Sequence, residues 1–389
     1  MSATGDFRQK RRIMEHYLDN SATTKVCQEA AQAALQAMTE LYGNPSSTHT
    51  KGREAKKLLD QSRKTAAAAL GCMPGELVFT SCGSESDNWA IFSGAEAMKR
   101  KGKHVISSLV EHDAVRKSLD VLEAAGYEIT RLKPDSTGAI QPEAVANALR
   151  DDTVLVSLMM VNNETGAVTD IHAVSRLLKE AHSQALLHTD AVQAFLKIPF
   201  QAKTLGADLI TVSGHKIHAP KGVGALYIRS GLRLKPLIIG GSQEEGRRAG
   251  TEAMPQIAAF AAACSAAADH LEEHLYRMHE LKTLAAARLS EAIPELCLIR
   301  TDAPHILSIS MPGWRSEVLM NLLESREVYV SKSSACKKGG RSHVLEAIGL
   351  KSEVIDGALR IGLSRFTTEE DIEALVSGLR EARNTLAHR

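Results

Sequence analysis

The chain has 389 residues, 44% of them apolar and 24% charged, with a net charge of +1. That length suits two domains, or one large domain with a satellite, and the balanced charge gives no electrostatic reason to expect nucleic acid or a membrane surface as partner. It contains no apolar run of about 18 residues that would span a membrane, and its six cysteines are scattered without CxxC pairing or metal-ligand spacing, which fits reduced thiols in a cytoplasmic setting and no metal.

Residues 1–17 carry a basic cluster with no apolar segment after it, so they do not read as a secretory signal, and Met14 is an alternative start. Between about residues 75 and 230, strands are expected at 77–80, 105–109, 154–161, 186–190, 209–212 and 224–228. Helices are expected at 85–100, 114–125 and 171–181. Near-continuous apolar strands alternating with amphipathic helices predict an α/β fold with a mostly parallel sheet covered on both faces. Ligands in such sheets gather at the carboxyl ends of the strands.

Polar clusters fall at those ends. After 77–80 comes Ser81-Cys82-Gly83-Ser84, where a glycine turn opens a helix. The free N–H groups of a helix start bind phosphate, with Gly83 allowing close approach and Ser84 adding a hydroxyl; an ordinary helix cap has the same composition. After 105–109 comes Glu111-His112, a histidine able to stack on a conjugated ring and move protons, or a structural one. After 154–161 comes Asn162-Asn163-Glu164, amides and a carboxylate suited to a bound ring or to a turn. Strand 186–190 ends in Asp190, able to pair with a protonated pyridine nitrogen, and Gln193 is placed to reach a ring hydroxyl; a cap is again the alternative. Strand 209–212 delivers Lys216 into a Gly/Pro-rich loop, where a desolvated amine can form a Schiff base with pyridoxal phosphate.

Residues 257–289 form an Ala-rich stretch without Pro or Gly, expected as one long helix bridging two domains. Strands at 305–310 and 327–331 and helices at 316–324 and 369–387 then predict an α+β tail. Cys336 sits in a small, polar loop among Lys332, Lys337, Lys338 and Arg341. Nearby cations raise the thiolate fraction of such a thiol. Arg360 interrupts an apolar run and needs a buried anion, either a substrate carboxylate or a structural Asp or Glu.

In order along the chain, Tyr17–Thr24, Gly43-Asn44-Pro45-Ser46-Ser47, SESDN at 84–88, VNNETG at 161–166, DAVQ at 190–193, SGHK at 213–216 and RRAGT at 247–251 resemble the NifS/IscS-type cysteine desulfurases. These are fold-type I pyridoxal-phosphate enzymes of the class V aminotransferase group. The likeness runs through nearly the whole chain, to Arg365–Glu370. It implies a large cofactor-binding domain at 24–262 and a smaller α+β C-terminal domain at 263–389 carrying the Cys336 loop, with residues 14–23 joining the small domain. Lys216 would hold the cofactor and move the Cα proton, His112 would stack on the ring, and Asp190 would pair with its nitrogen. Gln193 and Asn163 would lie near its ring oxygen. Gly83, Ser84, Ser213 and His215 would hold the phosphate. Thr251 would reach the phosphate of the other subunit's cofactor, which implies a homodimer. Asn44 and Arg360 would bind the substrate carboxylate, and Cys336 would accept sulfur from L-cysteine as a persulfide, releasing alanine. The sulfur would pass to an acceptor protein, such as an iron–sulfur scaffold or a tRNA-thiolation protein. A selenocysteine lyase, or another C–S or C–Se lyase, is the alternative.

Two segments depart from the family. Before the reactive cysteine stand Lys332 and Ser333 where a Ser/Thr and a glycine are common, and the basic loop after it is about two residues shorter. Cys82-Gly83-Ser84 replaces the common Gly-Ala-Thr, shifting the glycine by one place.

Overall fold

The computed structural model describes residues 15–299, 302–333 and 341–387. Its centre is a seven-stranded sheet in the order Leu77–Thr80, Gly224–Ile228, Leu209–Ser213, Leu186–Asp190, Thr153–Ser157, His104–Ser108, Glu128–Leu132. Gly224–Ile228 runs antiparallel to both neighbours and the remaining pairs are parallel. Leu77–Thr80 therefore points the same way as Leu209–Ser213, and the carboxyl ends of six strands share one edge. All but the edge strand Glu128–Leu132 are buried throughout, because β-branched and leucine side chains pack against helices on both faces. That edge strand, EITRL, has only its last residue buried, and its charged, half-exposed composition leaves little period to detect.

A second, antiparallel sheet orders Ser331–Lys332, Ala358–Gly362, Ile306–Ser310 and Cys297–Ile299. It has its own core around Leu281, Leu319, Leu359 and Ile372. The N-terminal segment joins this half: His16–Tyr17 pairs in parallel with Val328–Tyr329, and Asp19 bridges to Gly362.

Three expected elements are corrected. The long helix at 257–289 is two helices, Met254–Ala268 and Leu271–Ala292, broken at the exposed Asp269-His270. Neither Pro nor Gly causes the break. The first helix buries Ile257 and Phe260 in the large core, while the second buries Met278, Leu281 and Leu289 in the small one, and one straight helix cannot face both. The strand at 154–161 ends at Ser157; beyond it the chain lifts off the sheet, and Val161 pairs only with Val168. The strand at 327–331 is split between two partners, Val328–Tyr329 with the N-terminus and Ser331–Lys332 with Ala358–Gly362.

Gly362 is where these parts meet. A β-carbon there would lie 2.5 Å from the Ser21 amide nitrogen and 3.0 Å from that of Asn20. Gly362→Ala is expected to lower stability by about 1–3 kcal/mol, read as a lower urea midpoint, and to expose the N-terminal segment to limited proteolysis. A wild-type midpoint and digestion pattern would show that the segment is not clamped at this point.

Candidate active site

Each parallel strand except Glu128–Leu132 leaves the shared edge with a residue facing one cavity of about 370 Å³. Leu77–Thr80 leads to Gly83 and Ser84. His104–Ser108 leads to Glu111 and His112, and Thr153–Ser157 to Asn163 and Glu164. Leu186–Asp190 supplies Asp190 and Gln193, and Leu209–Ser213 supplies Ser213, His215 and Lys216. The small sheet closes the other side with Arg360, joined by Arg341 and His343.

Lys216 ends a single 3₁₀ turn, Gly214–Lys216. A β-carbon on Gly214 would meet Val223 at 2.9 Å and Phe260 at 3.0 Å, so the close packing of this turn demands glycine. The Lys216 ammonium donates to the carbonyls of Ser21 at 2.7 Å and Ala22 at 2.6 Å. Beside it, burial first and then the Lys216 charge push His215 down to about 4. The ring is therefore neutral, with Nδ1 3.2 Å from Thr23 Oγ1. His112 caps helix Asp113–Ala124, its Nδ1 accepting from the Ala114 amide at 3.2 Å. In the neutral ring that bond leaves the proton on Nε2.

The floor is crowded with acids. Asp190 accepts from the Val192 amide at 2.9 Å. Burial raises its pKa, while His112, the Val192 amide and Lys216 oppose the rise. Oxygens of Asp190 and Asp87 and a ring nitrogen of His112 lie within 4.8 Å of one another. Burial first, then the Asp190 charge, push Asp87 well above the usual carboxyl range. Two buried carboxyls this close do not both ionise, so Asp87 holds the proton and Asp190 is left to carry charge opposite a cation. Burial also drives Glu111 up to about 8, against hydrogen bonds from Ser108 Oγ at 2.5 Å and the Met159 amide at 3.1 Å. Glu164 rises to about 7 for the same reason and accepts from Ser342 Oγ.

Arg360 is 2% exposed. It donates to the Asn163 carbonyl at 2.9 Å, Asp19 Oδ1 at 3.0 Å and Ser331 Oγ at 2.8 Å. An anion for it is thus present as the partly exposed Asp19, yet Arg360 Nε has no partner among the described residues.

These features fit pyridoxal phosphate. Ser213 Oγ is buried and unpartnered among the described residues. It lies beside Gly83, where a β-carbon would meet Val192 at 2.9 Å and Ser213 at 3.4 Å. A cradle with room only for glycine, two hydroxyls and a helix start is a phosphate donor set. Asp190 matches a ring cation, Lys216 an aldehyde, and the orphan Arg360 Nε–H a carboxylate.

Lys216, His112, Gly83, Ser84, Asn163, Asp190, Gln193, Ser213, His215 and Arg360 all line the cavity. Asn44 and Thr251 do not: both are exposed, and Asn44 Oδ1 caps its own turn by accepting from the Ser46 amide. Cys336 lies outside the described residues. Sequence reasoning missed Ser21 and Ala22, which act through backbone carbonyls and leave no side-chain signal. It also missed Asp87, Asp19 and His343. Asp87 falls on the helix that follows the phosphate turn, one turn beyond Gly83, and that spacing was available to find it.

Glu111 offers a pH test. Its folded pKa of about 8 lies above the ordinary 4.5, so its proton is held more tightly in the folded state. The stability it contributes is complete below pH 4.5 and is lost as pH rises through about 8. Glu111→Gln is therefore expected to gain stability relative to the unsubstituted protein across that window, measured by urea unfolding at several pH values. A pH-independent difference would show that Glu111 ionises normally.

The class-V aminotransferase family model matches residues 16–375. The "Cysteine desulfurase IscS" of Methanosarcina thermophila is 41% identical over 365 residues, covering 92% of this chain and 90% of the relative. The solved structure of a "NifS-like protein" superposes with a TM-score of 0.91 at 35% identity, covering 96% of this chain and all of the other. That of "SspA in complex with cysteine" gives 0.78 at 31% identity, covering 91% of this chain and all of the other. With its α/β architecture and its strand-end lysine, the chain belongs to the class-V aminotransferase family, on the fold-type I pyridoxal-phosphate scaffold.

Proposed function

We propose that this chain is a pyridoxal-phosphate-dependent cysteine desulfurase that converts L-cysteine to L-alanine and loads the sulfur on Cys336. The observation that carries this reading is the convergence on one cavity of Lys216, Asp190, a phosphate cradle and an arginine with an unused N–H. The relatives named for this activity, and the neighbour solved with cysteine, support the same choice.

When bound, the cofactor supplies an aldehyde carbon that holds an amine and a cationic ring that accepts electrons from carbon. Gly83, Ser84, Ser213 and His215 bind its phosphate, and Asp190 keeps a proton on the ring nitrogen. His112 covers the ring face, and Gln193 and Asn163 sit toward the ring oxygen. Arg360, oriented by Asp19 and Ser331, binds the substrate carboxylate. Lys216 Nζ takes the Cα proton. The Cys336 thiolate attacks the substrate sulfur, so an S–S bond forms as the Cβ–S bond breaks and Cβ is protonated. The balance is L-cysteine plus a thiol giving L-alanine plus a persulfide.

We further propose a homodimer in which Thr251 reaches the partner's cofactor. Ile239 is 88% exposed, and Leu237 and Ile238 beside it are also exposed, an apolar stretch suited to burial against a second copy. The persulfide would pass to an acceptor protein such as an iron–sulfur scaffold or a tRNA-thiolation protein. Cys27, Cys72, Cys82, Cys264 and Cys297 are free thiols, which supports a reducing, cytoplasmic setting. No described helix is long and apolar enough to cross a membrane.

After reconstitution with pyridoxal phosphate, L-cysteine is expected to yield alanine and, with a reductant, sulfide, and to add the mass of one sulfur to the peptide containing Cys336. Lys216→Ala should abolish turnover, and Cys336→Ala should lower it by more than about 10³-fold. Full activity of Cys336→Ala on L-cysteine would overturn the desulfurase reading in favour of a selenocysteine-type lyase.

A further inference from the structure

Beneath the cavity lies a lysine that no step above uses. Lys197 is 7% exposed. A buried lysine ordinarily faces a carboxylate. Here the charges acting on it are Lys216 and Arg360, and the titratable groups it acts on in turn are His215, His218 and His305. Burial and this cationic company hold its amine well below the usual lysine range. A neutral amine needs no counter-ion, but it still needs hydrogen-bond partners.

Its partner is Gln193, four residues earlier: Lys197 Nζ donates to Gln193 Oε1 at 3.2 Å. The other end of that amide, Nε2, donates to the Ser21 carbonyl at 2.8 Å. A carbonyl only accepts, so it dictates which end of the amide faces it. Lys197 then satisfies the oxygen left on the far side. The same Ser21 carbonyl accepts from Lys216 at 2.7 Å, so Lys197, Gln193, Ser21 and Lys216 form one connected set. The backbone is bent to make it. The chain turns through Phe195 N–H to Ala191 O and Ile198 N–H to Ala194 O, and it passes through Leu196 at φ 56°, a left-handed state that disfavours leucine. That turn brings the side chain at 197 back under the one at 193.

We propose that Lys197 is a positioning residue: by donating to Gln193 Oε1 it locks the Gln193 amide with its N–H groups turned to Ser21 and the cavity, so that the site offers the cofactor's ring oxygen a donor and favours that oxygen as an anion. The inference rests on the placement of Gln193 near the ring oxygen under the proposed function. Without Lys197 the amide oxygen is buried and unpaired, and the Ser21 carbonyl alone is left to hold the orientation.

The test uses the reconstituted holoenzyme and reads the absorption spectrum and the affinity for pyridoxal phosphate, with circular dichroism to confirm folding. A deprotonated ring oxygen gives the visible band of the bound chromophore, and a protonated one favours the near-ultraviolet form. Lys197→Met is expected to shift intensity from the visible to the near-ultraviolet band and to weaken cofactor affinity about tenfold. Lys197→Gln, which keeps an N–H donor one bond shorter, should retain the visible band. Gln193→Leu should shift both readouts, and the double variant Lys197→Met/Gln193→Leu should go no further than Gln193→Leu alone. If Gln193→Leu changes neither, the placement of Gln193 fails and the inference with it. If Gln193→Leu shifts them but Lys197→Met does not, or if the two effects add, the role of Lys197 is overturned while the site reading stands. Should Lys197→Met not fold, Lys197→Gln decides: an unshifted spectrum supports the hydrogen bond, and a spectrum like that of Gln193→Leu overturns it.

Discussion

A reactive lysine must be taken out of water without losing every partner for its amine, and the whole site follows from that constraint. Here the carbonyls of Ser21 and Ala22 hold Lys216, so the segment that supplies them has to be fixed as tightly as the sheet itself. It is pinned from the opposite half. Asn20 Nδ2 donates to the Gly362 carbonyl at 2.9 Å, Asp19 takes the Arg360 guanidinium, and His16–Tyr17 adds a strand to Val328–Tyr329. The C-terminal half, which contributes Arg360 to the cavity, thus also sets the N-terminal carbonyls that hold the lysine. Arg360 and Lys216 are placed by one clamp.

The clamp explains the distribution of charge around it. Basic groups gather on the Lys216 side, where burial first and the Lys216 charge next hold Lys197 and His215 neutral. Acids gather under His112, where burial above all keeps Asp87 and Glu111 protonated. Asp190 lies between the two groups and feels both His112 and Lys216. Keeping its neighbours neutral leaves Asp190 as the acid best placed to remain ionised. A ring cation bound there meets a single charge rather than a diffuse field, and in a low-dielectric site that is the arrangement with the largest effect.

Much of this was legible in the chain because strand ends announce themselves. An apolar run that stops at Asp190 or Ser213 marks the sheet edge and the ligand side at once, and the parallel order of the strands brings those ends together. What was hidden has physical causes. Carbonyl acceptors such as that of Ser21 carry no side-chain signal. The break at Asp269-His270 is imposed by two separate cores rather than by a helix-breaking residue. Lys197 carries no signal in the chain; only the fold shows that it is buried, with Lys216 and Arg360 as the charges acting on it and the Gln193 amide as its partner. Arg360 was open between a substrate and a structural anion: the structure shows Asp19 as the structural one, and Nε is left without a partner among the described residues.

The basic composition around Cys336 deserves a narrower reading than the sequence invites. Cations lower a thiol pKa only as far as their charge is not already matched. Lys332 Nζ donates to Glu317 at 3.2 Å, and the Arg341 guanidinium is bidentate on Asp356 at 2.9 and 3.2 Å. Both pairs are solvent-exposed, so what remains of their field is also screened by salt. Of the cations near the thiol in sequence, these two add less to its activation than their proximity suggests. A stronger influence is available inside the cavity, where the charges of Lys216 and Arg360 act at lower dielectric. Under the proposed function, a thiol that attacks a substrate held there would come under that field.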